Sequence, residues 1–293
     1  MDGNLWHRVY QLVMTVDHTQ MGKPAHSDRV IVLVALRAIK DDKSIAWACR
    51  RENWSGLRGP TTMPSQPTIS RRLQTEGVQT LMKAVEVRLR QPLQSGEVMA
   101  VDGRPLVVAR HSKDPDADWG YALGTLGLGY KIHAIWADGP VPLSWEVRSL
   151  RASEATVATQ RLVPALPRAT QQSYLLGDAS YDTNKLYAAT AARGYRLLAP
   201  PKHPRKRLGH RAHHADRIRA FELLPSRRGQ KLMQRRSAIE RSFGNWSVRA
   251  EGLSELPKHV RRLHRVRLFV HGKLILNGIR ILLNRNQFPL PST

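Results

Sequence analysis

Cysteine, acidic residues and long apolar runs are all scarce in this chain. Of its 293 residues only Cys49 is a cysteine, which excludes an intrachain disulfide and a zinc site built from several cysteines. The longest apolar run, residues 30–36, is far shorter than the roughly 18 residues that a membrane-spanning helix needs. No basic segment followed by an apolar one resembles a secretory signal. These absences predict a protein of a reducing interior that does not act in a membrane.

Acidic residues are outnumbered two to one by basic ones. The sequence has 47 Lys and Arg against 23 Asp and Glu, which gives a formal net charge of +24. That excess is larger than solubility requires and predicts a polyanionic partner. The charge is concentrated in residues 202–293, which hold 22 basic and 5 acidic residues. Since membranes are not expected, the predicted partner is nucleic acid.

The first part of the chain, residues 1–95, has the pattern of an all-helical region. Helices are predicted at residues 5–16, 28–39, 44–53, 67–77 and 78–93, with Ser27 and either Ser65 or Thr68 as N-caps. The third and fourth helices, joined by a Gly- and Pro-rich turn, resemble a helix-turn-helix that presents Arg71 and Arg72 to DNA. The alternative interpretation is a plain helical cap without DNA contact.

Two aspartates lie in, or directly after, predicted strands. Strands are predicted at residues 97–109, at one or two places in 121–137, at 174–176 and at 196–199, with helices at 153–166 and after residue 182. Asp102 lies inside the first strand and Asp178 follows the strand at 174–176. The helix after them is predicted to be capped by Asp182 or Thr183, and Asp182 is the favoured cap. A buried strand has little reason to hold an ionised acid unless another group pairs with it. If the two strands are parallel neighbours, their carboxylates approach each other and need a cation, for which Mg²⁺ is suited.

The segment 231–249 has one acid, Glu240, among several basic residues. It is predicted to form a helix, in which Arg236 lies one turn before Glu240 and can contact it. A lone carboxylate would repel DNA phosphate, but it is useful if it holds a divalent cation while the arginines hold phosphates. The alternative is a surface helix with one ion pair. Glu222 and Glu251 are rival third acids, and neither lies in such an arginine–glutamate helix.

Together these segments resemble the insertion-sequence transposases of the DDE class, which share a ribonuclease-H-like fold with retroviral integrases. The resemblance is carried by VMAVDG around Asp102, GYKIHAIWADG at residues 129–139, LLGDASYD around Asp178, and RSAIERSF around Glu240. The short interval between Asp178 and Glu240 indicates that no large domain is inserted before the glutamate. A tyrosine and a lysine found around this glutamate in a related group are replaced here by Met233 and Ser247.

The resemblance implies an α/β fold in three regions. These are an all-helical N-terminal DNA-binding region at residues 1–95, a ribonuclease-H-like mixed sheet flanked by helices at 96–255, and a basic C-terminal helix at 256–293 that packs on the catalytic domain. It also implies that Asp102, Asp178 and Glu240 are catalytic and hold Mg²⁺, with Mn²⁺ able to substitute. The implied reaction is metal-dependent cleavage at transposon ends, followed by attack of the freed 3′-hydroxyl on target DNA.

The partners that the resemblance implies are double-stranded DNA and further copies of the chain. The DNA would be the terminal inverted repeats and the target, and the copies would form a homodimer or a larger multimer on it. The implied location is the bacterial cytoplasm, at the nucleoid. No membrane partner is expected.

The predicted DNA contacts beyond the N-terminal helices lie on a strand, on a loop and on the arginine–glutamate helix. They are Lys131, His133, Lys202, Arg205, Lys206, Arg207, Arg236 and Arg241. Lys131 and His133 alternate with Ile132 and so face one side of a strand, where they either reach phosphate or are simply solvated. Residues 202–219 are predicted to form a mobile basic loop over DNA. Most of the seven tryptophans are predicted to be core residues; Trp119 and Trp246 also fit stacking on a displaced base, although core packing is favoured.

The sequence is also compatible with two other functions. A ribonuclease-H-like endonuclease with another task would carry the same three acids, and preference for inverted-repeat ends would separate it from a transposase. A domesticated, non-catalytic DNA-binding protein would bind specific DNA without Mg²⁺ and cleave nothing. The presence of Asp102, Asp178 and Glu240 together argues against the non-catalytic protein.

Overall fold

The computed structural model describes residues 2–90, 98–122, 124–204, 212–248, 253 and 256–288. The first part of the chain is helical, and a six-stranded mixed sheet with helices packed against it follows. One cluster of buried apolar side chains takes in both the N-terminal helices and the sheet. The fold is therefore mixed α/β, as predicted.

Five helices form the N-terminal part. They are α1 (Asp2–Thr15), α2 (Asp28–Lys40), α3 (Ile45–Ala48), α4 (Gln66–Arg72) and α5 (Glu76–Leu89), and a 3₁₀ turn, Arg51–Trp54, follows α3. The side chains of Ser27, Ser44 and Ser65 accept hydrogen bonds from backbone N–H groups in the first turns of α2, α3 and α4. The predictions of Ser27 and Ser65 as N-caps are thus confirmed, and Thr68 lies inside α4. Helix α2 is the centre of this part, since residues 31–36 are all buried among the helices around it.

The sheet combines antiparallel and parallel strands. The strands are β1 (Val98–Val108), β2 (Asp118–Ala122), β3 (Thr125–Trp136), β4 (Ser144–Ser149), β5 (Ser173–Leu176) and β6 (Tyr195–Leu198). Their order is β2-β3-β1-β5-β6, and β4 also pairs with β3. Because β2 pairs with residues 125–129 of β3 and β4 with residues 130–135, β2 and β4 lie end to end along the outer edge of β3.

Strand β1, which contains Asp102, and strand β5, which precedes Asp178, are parallel neighbours. This is the arrangement that the sequence analysis required for the two acids to approach each other. The register pairs Val98 with Tyr174 and Ala100 with Leu176. Continued by two residues on each strand, this register brings Asp102 level with Asp178, just beyond the last paired residues. The fold therefore brings the two acids to the same edge of the parallel part of the sheet.

Several elements differ from the prediction, among them β4, the helix after it, and a helix that begins at Ala215, inside the predicted basic loop. The sequence pattern does not predict β4, because only Trp145 and Val147 of its six residues are apolar. The helix predicted at residues 153–166 is divided into α6 (Glu154–Val157), a π-helical turn (Ala158–Leu162) and a 3₁₀ turn (Val163–Ala165). Pro164 lacks a backbone N–H and so prevents a regular helix at the end of this segment.

Four further helices complete the described part of the chain. They are α7 (Asn184–Ala192), α8 (Ala215–Leu223), α9 (Arg227–Val248) and α10 (Leu263–Asn284). Helix α9 packs on β1 and β5. Helix α10 begins at Leu263, within the region 256–293 where a helix is predicted, and packs on α1, α2 and α5 as well as on β4. The division of the chain into three regions stays a prediction. In the described residues no helix is long and apolar enough to cross a membrane.

Arg72 on α4 is directed inward, onto the buried Asp28 at the start of α2. Arg72 donates hydrogen bonds to the Asp28 carboxylate and, at 3.0 Å, to the carbonyl oxygen of His26, while His18 Nε2 lies 2.9 Å from the same carboxylate. Burial raises the pKa of Asp28, but these hydrogen bonds and the charge of Arg72 outweigh it and hold the pKa below its usual value. The prediction of a DNA contact from Arg72 is wrong for this reason: its guanidinium joins α4 to α2.

Replacing Arg72 by Ala is expected to lower the free energy of unfolding by about 3 kcal/mol, because the Asp28 carboxylate stays buried with one partner fewer. The neighbouring Arg71 is exposed, so Arg71→Ala should change this free energy by less than about 0.5 kcal/mol. Urea unfolding followed by circular dichroism measures both values. A similar loss of stability in the two variants would contradict the inward role of Arg72.

Candidate active site

Asp102 lies in β1 and is surrounded by negative charge. Its Oδ1 accepts a hydrogen bond of 2.8 Å from the backbone N–H of Gly103. Burial raises the pKa of Asp102 to about 6, and the charges of Glu240, Glu154 and Asp178 act in the same direction. The hydrogen bond from Gly103 lowers this pKa without compensating for the other causes. Four carboxylates from different elements therefore act on one another at this site.

Asp178 directly follows β5 and is the N-cap of a 3₁₀ turn, Ala179–Tyr181. Its Oδ1 accepts a hydrogen bond of 2.7 Å from the backbone N–H of Ser180 and lies 2.5 Å from the Ser180 hydroxyl oxygen. These contacts fix one oxygen of the carboxylate at the end of β5, level with Asp102 on β1.

Helix α9 contributes the third predicted acid. Its packing on β1 and β5 brings Glu240 close enough to Asp102 for its charge to raise the pKa of Asp102. Arg236 Nη1 lies 3.0 Å from Glu240 Oε1, so the predicted contact between these two residues is confirmed. Of the rival third acids, Glu222 is exposed on α8 and Glu251 lies outside the described residues.

Glu154, at the start of α6, is a fourth carboxylate that the sequence analysis did not single out. Its Oε1 pairs with Lys131 Nζ at 2.6 Å, and its Oε2 lies 3.2 Å from the Ser180 hydroxyl oxygen. Ser180 has one hydroxyl hydrogen, so it donates either to Glu154 or to Asp178 at any moment. Residue 103 is glycine, and a Cβ there would come within 2.9 Å of Glu154 Oε1. The small residue beside Asp102 thus leaves the space that Glu154 occupies.

Tyr181 lies beneath these acids and was also missed from the sequence. It is fully buried, and burial together with the nearby charges of Glu154, Asp102 and Asp178 raises the pKa of its hydroxyl. The hydroxyl lies near Glu154 without forming a hydrogen bond of good geometry to any described residue. Tyr181 therefore stays neutral and forms a buried side of the site. The sequence offers no signal for it, since a tyrosine after a strand is typical of core packing.

The site contains carboxylate oxygens, the kind of ligand atom that binds divalent cations. Within the described ranges no group of three or more His, Cys, Asp and Glu side chains is arranged to hold a metal ion. The available donors are carboxylate oxygens, which hard divalent cations prefer as ligands. A cation would offset the negative charges that raise the pKa of Asp102. The carboxylates available to such an ion are those of Asp102, Asp178 and Glu240, with Glu154 beside them.

His133 does not reach the surface. It is fully buried on β3, and neither of its ring nitrogens has a hydrogen-bond partner in the part of the chain that the structure describes. Burial lowers its pKa to about 3, with the charges of Lys131 and Arg148 adding to the effect, so the ring is neutral at pH 7. The two interpretations from the sequence, a DNA contact and a solvated side chain, do not agree with this burial, because the π-helical turn packs against β3.

The predicted basic loop is described only at its ends. Lys202 is exposed, whereas Arg205, Lys206, Arg207 and the side chains of Arg241 and Trp246 lie outside what the structure describes. Asp182 is not the cap of α7, because Thr183 accepts the capping hydrogen bond from the N–H of Leu186. Asp182 is instead buried, with Arg217 Nε at 2.7 Å and the backbone N–H of Lys202 at 3.0 Å. This pairing anchors both ends of the basic segment next to β6 and α7.

The raised pKa of Asp102 predicts a gain in stability when this acid is neutralised. In an unfolded chain Asp titrates near 3.9, so ionisation of Asp102 above this pH destabilises the metal-free folded state. The penalty is absent below about pH 4, grows up to the folded pKa of about 6 and is complete above it. Asp102→Asn should therefore raise the free energy of unfolding by about 3 kcal/mol at pH 7 and by nothing at pH 4. Urea unfolding in EDTA at both pH values measures this.

Asp178→Asn is the matched control for that experiment. It removes a carboxylate that accepts hydrogen bonds from Ser180 at the start of a 3₁₀ turn, so we expect no gain in stability. A gain for Asp102→Asn that persists unchanged at pH 4 would contradict an origin in the charge of Asp102.

Comparison with known proteins gives one family and a likeness to solved structures. No curated protein matches the chain. A chain of the simian T-cell lymphotropic virus intasome, solved by electron cryo-microscopy in complex with the PP2A regulatory subunit B56 gamma, is similar at 14% sequence identity and a TM-score of 0.22. That similarity covers 55% of this chain and 57% of the viral one, so the chain spans little more than half of its length. The family model "Transposase DDE domain" matches residues 93–276. Because this match extends over well more than half of the chain and includes β1, β5 and α9 together, the protein belongs to the family of transposase DDE domains.

Proposed function

We propose that this protein is a DNA transposase that cleaves DNA at transposon ends and joins the freed 3′-hydroxyl to target DNA, with Asp102, Asp178 and Glu240 as its catalytic carboxylates. The observation that carries the proposal is the convergence of β1, β5 and α9, whose acids act on one another electrostatically. Ionised acids that repel each other reduce stability, so their concentration at one edge of a sheet favours a catalytic purpose.

The cofactor we infer is Mg²⁺, with Mn²⁺ able to replace it. When bound, the ion supplies charge stabilisation for the attacking and leaving oxygens of the phosphodiester. Asp102 and Asp178 would hold it from two adjacent strands, where backbone N–H groups orient both carboxylates. Glu240 would complete the set from α9, and Arg236 beside it is suited to contact a neighbouring phosphate.

The sheet supports the ribonuclease-H-like arrangement that we propose for residues 96–255. Three antiparallel strands, β4, β3 and β1, continue into two parallel strands, β5 and β6. The acids of β1 and β5 lie where the parallel pairing ends, the usual place of ligand sites in such sheets.

DNA is the proposed partner, and basic groups near the acids and on α4 support it. Lys131, Lys202 and Arg236 lie on the elements that carry or flank the acids, and Arg71 is exposed on α4. We propose that α3, the turn after it and α4 form a helix-turn-helix-like DNA contact in which Arg71 takes part. The start of α9 adds four exposed cations that form no ion pair with any described acid: Arg227, Arg228, Lys231 and Arg235. Joining two transposon ends requires two active sites, so we also propose a homodimer or larger multimer on DNA.

Nick mapping tests the proposed function. A supercoiled plasmid that carries the coding region with its native flanks is incubated with the protein in Mg²⁺ or in EDTA, and the nicks are located by primer extension. We expect Mg²⁺-dependent nicks at two symmetric positions in the flanks.

The same experiment separates the alternatives. Nicks that are scattered, or that occur at branched structures, would contradict the transposase and favour a ribonuclease-H-like endonuclease with another role. Firm binding to the flanks in EDTA without any nicks would favour a domesticated DNA-binding protein.

A further inference from the structure

The hairpin of β2 and β3 exposes an aromatic and apolar surface away from the four acids. Trp119 is 46% exposed, Tyr121 73%, and Leu126, the cross-strand partner of Tyr121, 56%. The other face of the hairpin is packed, since a Cβ at Gly120 would come within 2.8 Å of the Leu150 carbonyl oxygen. The favoured prediction of core packing is therefore wrong for Trp119. A group of large exposed apolar side chains on one face indicates a binding surface.

The loop that precedes this surface carries charges of both signs. Between β1 and β2 it contains Arg110, His111 and Lys113, all of them exposed. None of the three forms an ion pair with an acid of the described chain. The same loop contains Asp114, which is buried and accepts a hydrogen bond of 2.8 Å from the hydroxyl of Tyr130, and the exposed Asp116.

The start of α10 adds a further cation at the same place. The backbone N–H of Arg262 donates to both oxygens of Asp114, at 3.2 and 3.0 Å, and the N–H of Leu263 donates to Asp116 Oδ2 at 2.9 Å. These bonds hold the first turn of α10 against the loop before β2. Arg262, whose side chain is exposed, is thereby held through its backbone against the loop that leads into β2.

The hairpin lies on the same face of the sheet as Asp102. Asp102 pairs with Ala134 and Val108 with Leu128, and Leu128 in turn pairs with Trp119. Because side chains alternate along a strand, Asp102 and Trp119 project to the same side. Six residues of β3 separate Ala134 from Leu128, a distance of roughly 20 Å.

We propose that the β2–β3 hairpin is a stacking platform for unpaired bases of a DNA strand, with Trp119 and Tyr121 as the stacking residues. The proposal rests on the proposed function, since it takes the strand cut at the carboxylates as the ligand. Aromatic rings bind the faces of bases that have left the duplex, and surrounding cations bind the phosphates between them. The platform thus lies roughly 20 Å from Asp102 along the sheet.

The charge around the hairpin favours DNA over a second copy of this chain as the occupant. The exposed cations Arg110, Lys113 and Arg262 outnumber the exposed acids there, Asp116 and Asp118, so in a dimer through this surface each copy would present net positive charge to the other. Like charges brought together across an interface oppose association. An unpaired DNA strand fits this surface because its bases can stack on the aromatic rings and its phosphates can bind the cations.

The test compares DNA affinities of hairpin variants in EDTA, where no cleavage takes place. Fluorescence anisotropy measures binding to a fluorescein-labelled oligothymidine and to a blunt duplex of the same length. Trp119→Ala and Tyr121→Ala should each weaken oligothymidine binding about 10-fold and change duplex binding little, because only unpaired bases offer their faces. Trp119→Phe should retain most of the affinity. Val87→Ala, which shortens an exposed apolar side chain on α5, is the control and should bind like wild type.

Three results would overturn the platform. The first is unchanged oligothymidine binding in both alanine variants. The second is an equal loss for single strand and duplex, which would indicate general electrostatics. The third is a wild-type dimer, seen by sedimentation velocity, that Trp119→Ala dissociates without altering oligothymidine binding; this would identify a second copy as the occupant. Nick mapping is independent of these measurements, so a failed platform and a failed transposase assignment are distinguishable.

Discussion

Replacing Glu240 by Gln should reduce Mg²⁺-dependent nicking by at least about 10³-fold. The substitution keeps the shape of the side chain and removes the negative charge that acts on Asp102, and with it one proposed ligand of the ion. Loss of a group that acts as part of a catalytic unit commonly lowers rates by this amount or more. The measurement is the rate of plasmid nicking at saturating protein.

The control is Glu222→Gln on α8. Glu222 is an exposed acid and the rival third carboxylate, so its amide variant should nick at nearly the wild-type rate. Nearly wild-type nicking by Glu240→Gln together with a large loss in Glu222→Gln would move the third catalytic acid to α8 and contradict the role of α9.

DNA affinity is expected to fall by about 10³-fold or more between roughly 50 and 200 mM salt. The physical reason is release of counterions from DNA as basic side chains neutralise phosphates. The net charge of +24 and the unpaired cations at the start of α9 provide enough contacts for such a dependence. A titration of a labelled duplex at several salt concentrations, in EDTA, gives the slope of log affinity against log salt.

A double variant tests which part of the surface produces that slope. Replacing Arg227 and Lys231 by Gln should make the slope shallower by roughly 2, because each removed phosphate contact contributes about 0.9. The matched control replaces Arg217, which is paired with the buried Asp182, and should leave the slope unchanged even where it lowers stability. A wild-type affinity insensitive to salt would contradict the assignment of DNA as the partner.

Local patterns in the sequence predicted much of the fold and the order of the acids. Ser27 and Ser65 are followed by runs with helical periodicity, and both serines cap helices. Arg236 and Glu240 are one helical turn apart, so their contact follows from helix geometry alone. The parallel pairing of β1 with β5 could be stated only as a condition, because it joins segments about 75 residues apart whose pairing depends on the whole sheet.

The errors arise where tertiary contacts decide the role of a residue. Arg72 and Arg71 are neighbours of the same type, and only the position of Asp28 on another helix directs Arg72 inward. His133 alternates correctly along its strand, yet that face is covered by elements later in the chain. Glu154 looks like an ordinary residue at a helix start, because Lys131 and Ser180 reach it only in the folded protein. Sequence periodicity describes one element at a time and carries little information about contacts between side chains of different elements.

Direct measurement of Mn²⁺ binding tests whether Asp102, Asp178 and Glu240 together hold a divalent ion. Electron paramagnetic resonance of free Mn²⁺ at neutral pH reports how much of the ion the protein removes from solution. We expect wild type and Glu222→Gln to bind Mn²⁺. We expect Asp102→Asn, Asp178→Asn and Glu240→Gln each to lose most of this binding. If all three triad variants bound Mn²⁺ as tightly as wild type, while remaining folded, the proposal of a metal site at the junction of β1, β5 and α9 would be contradicted.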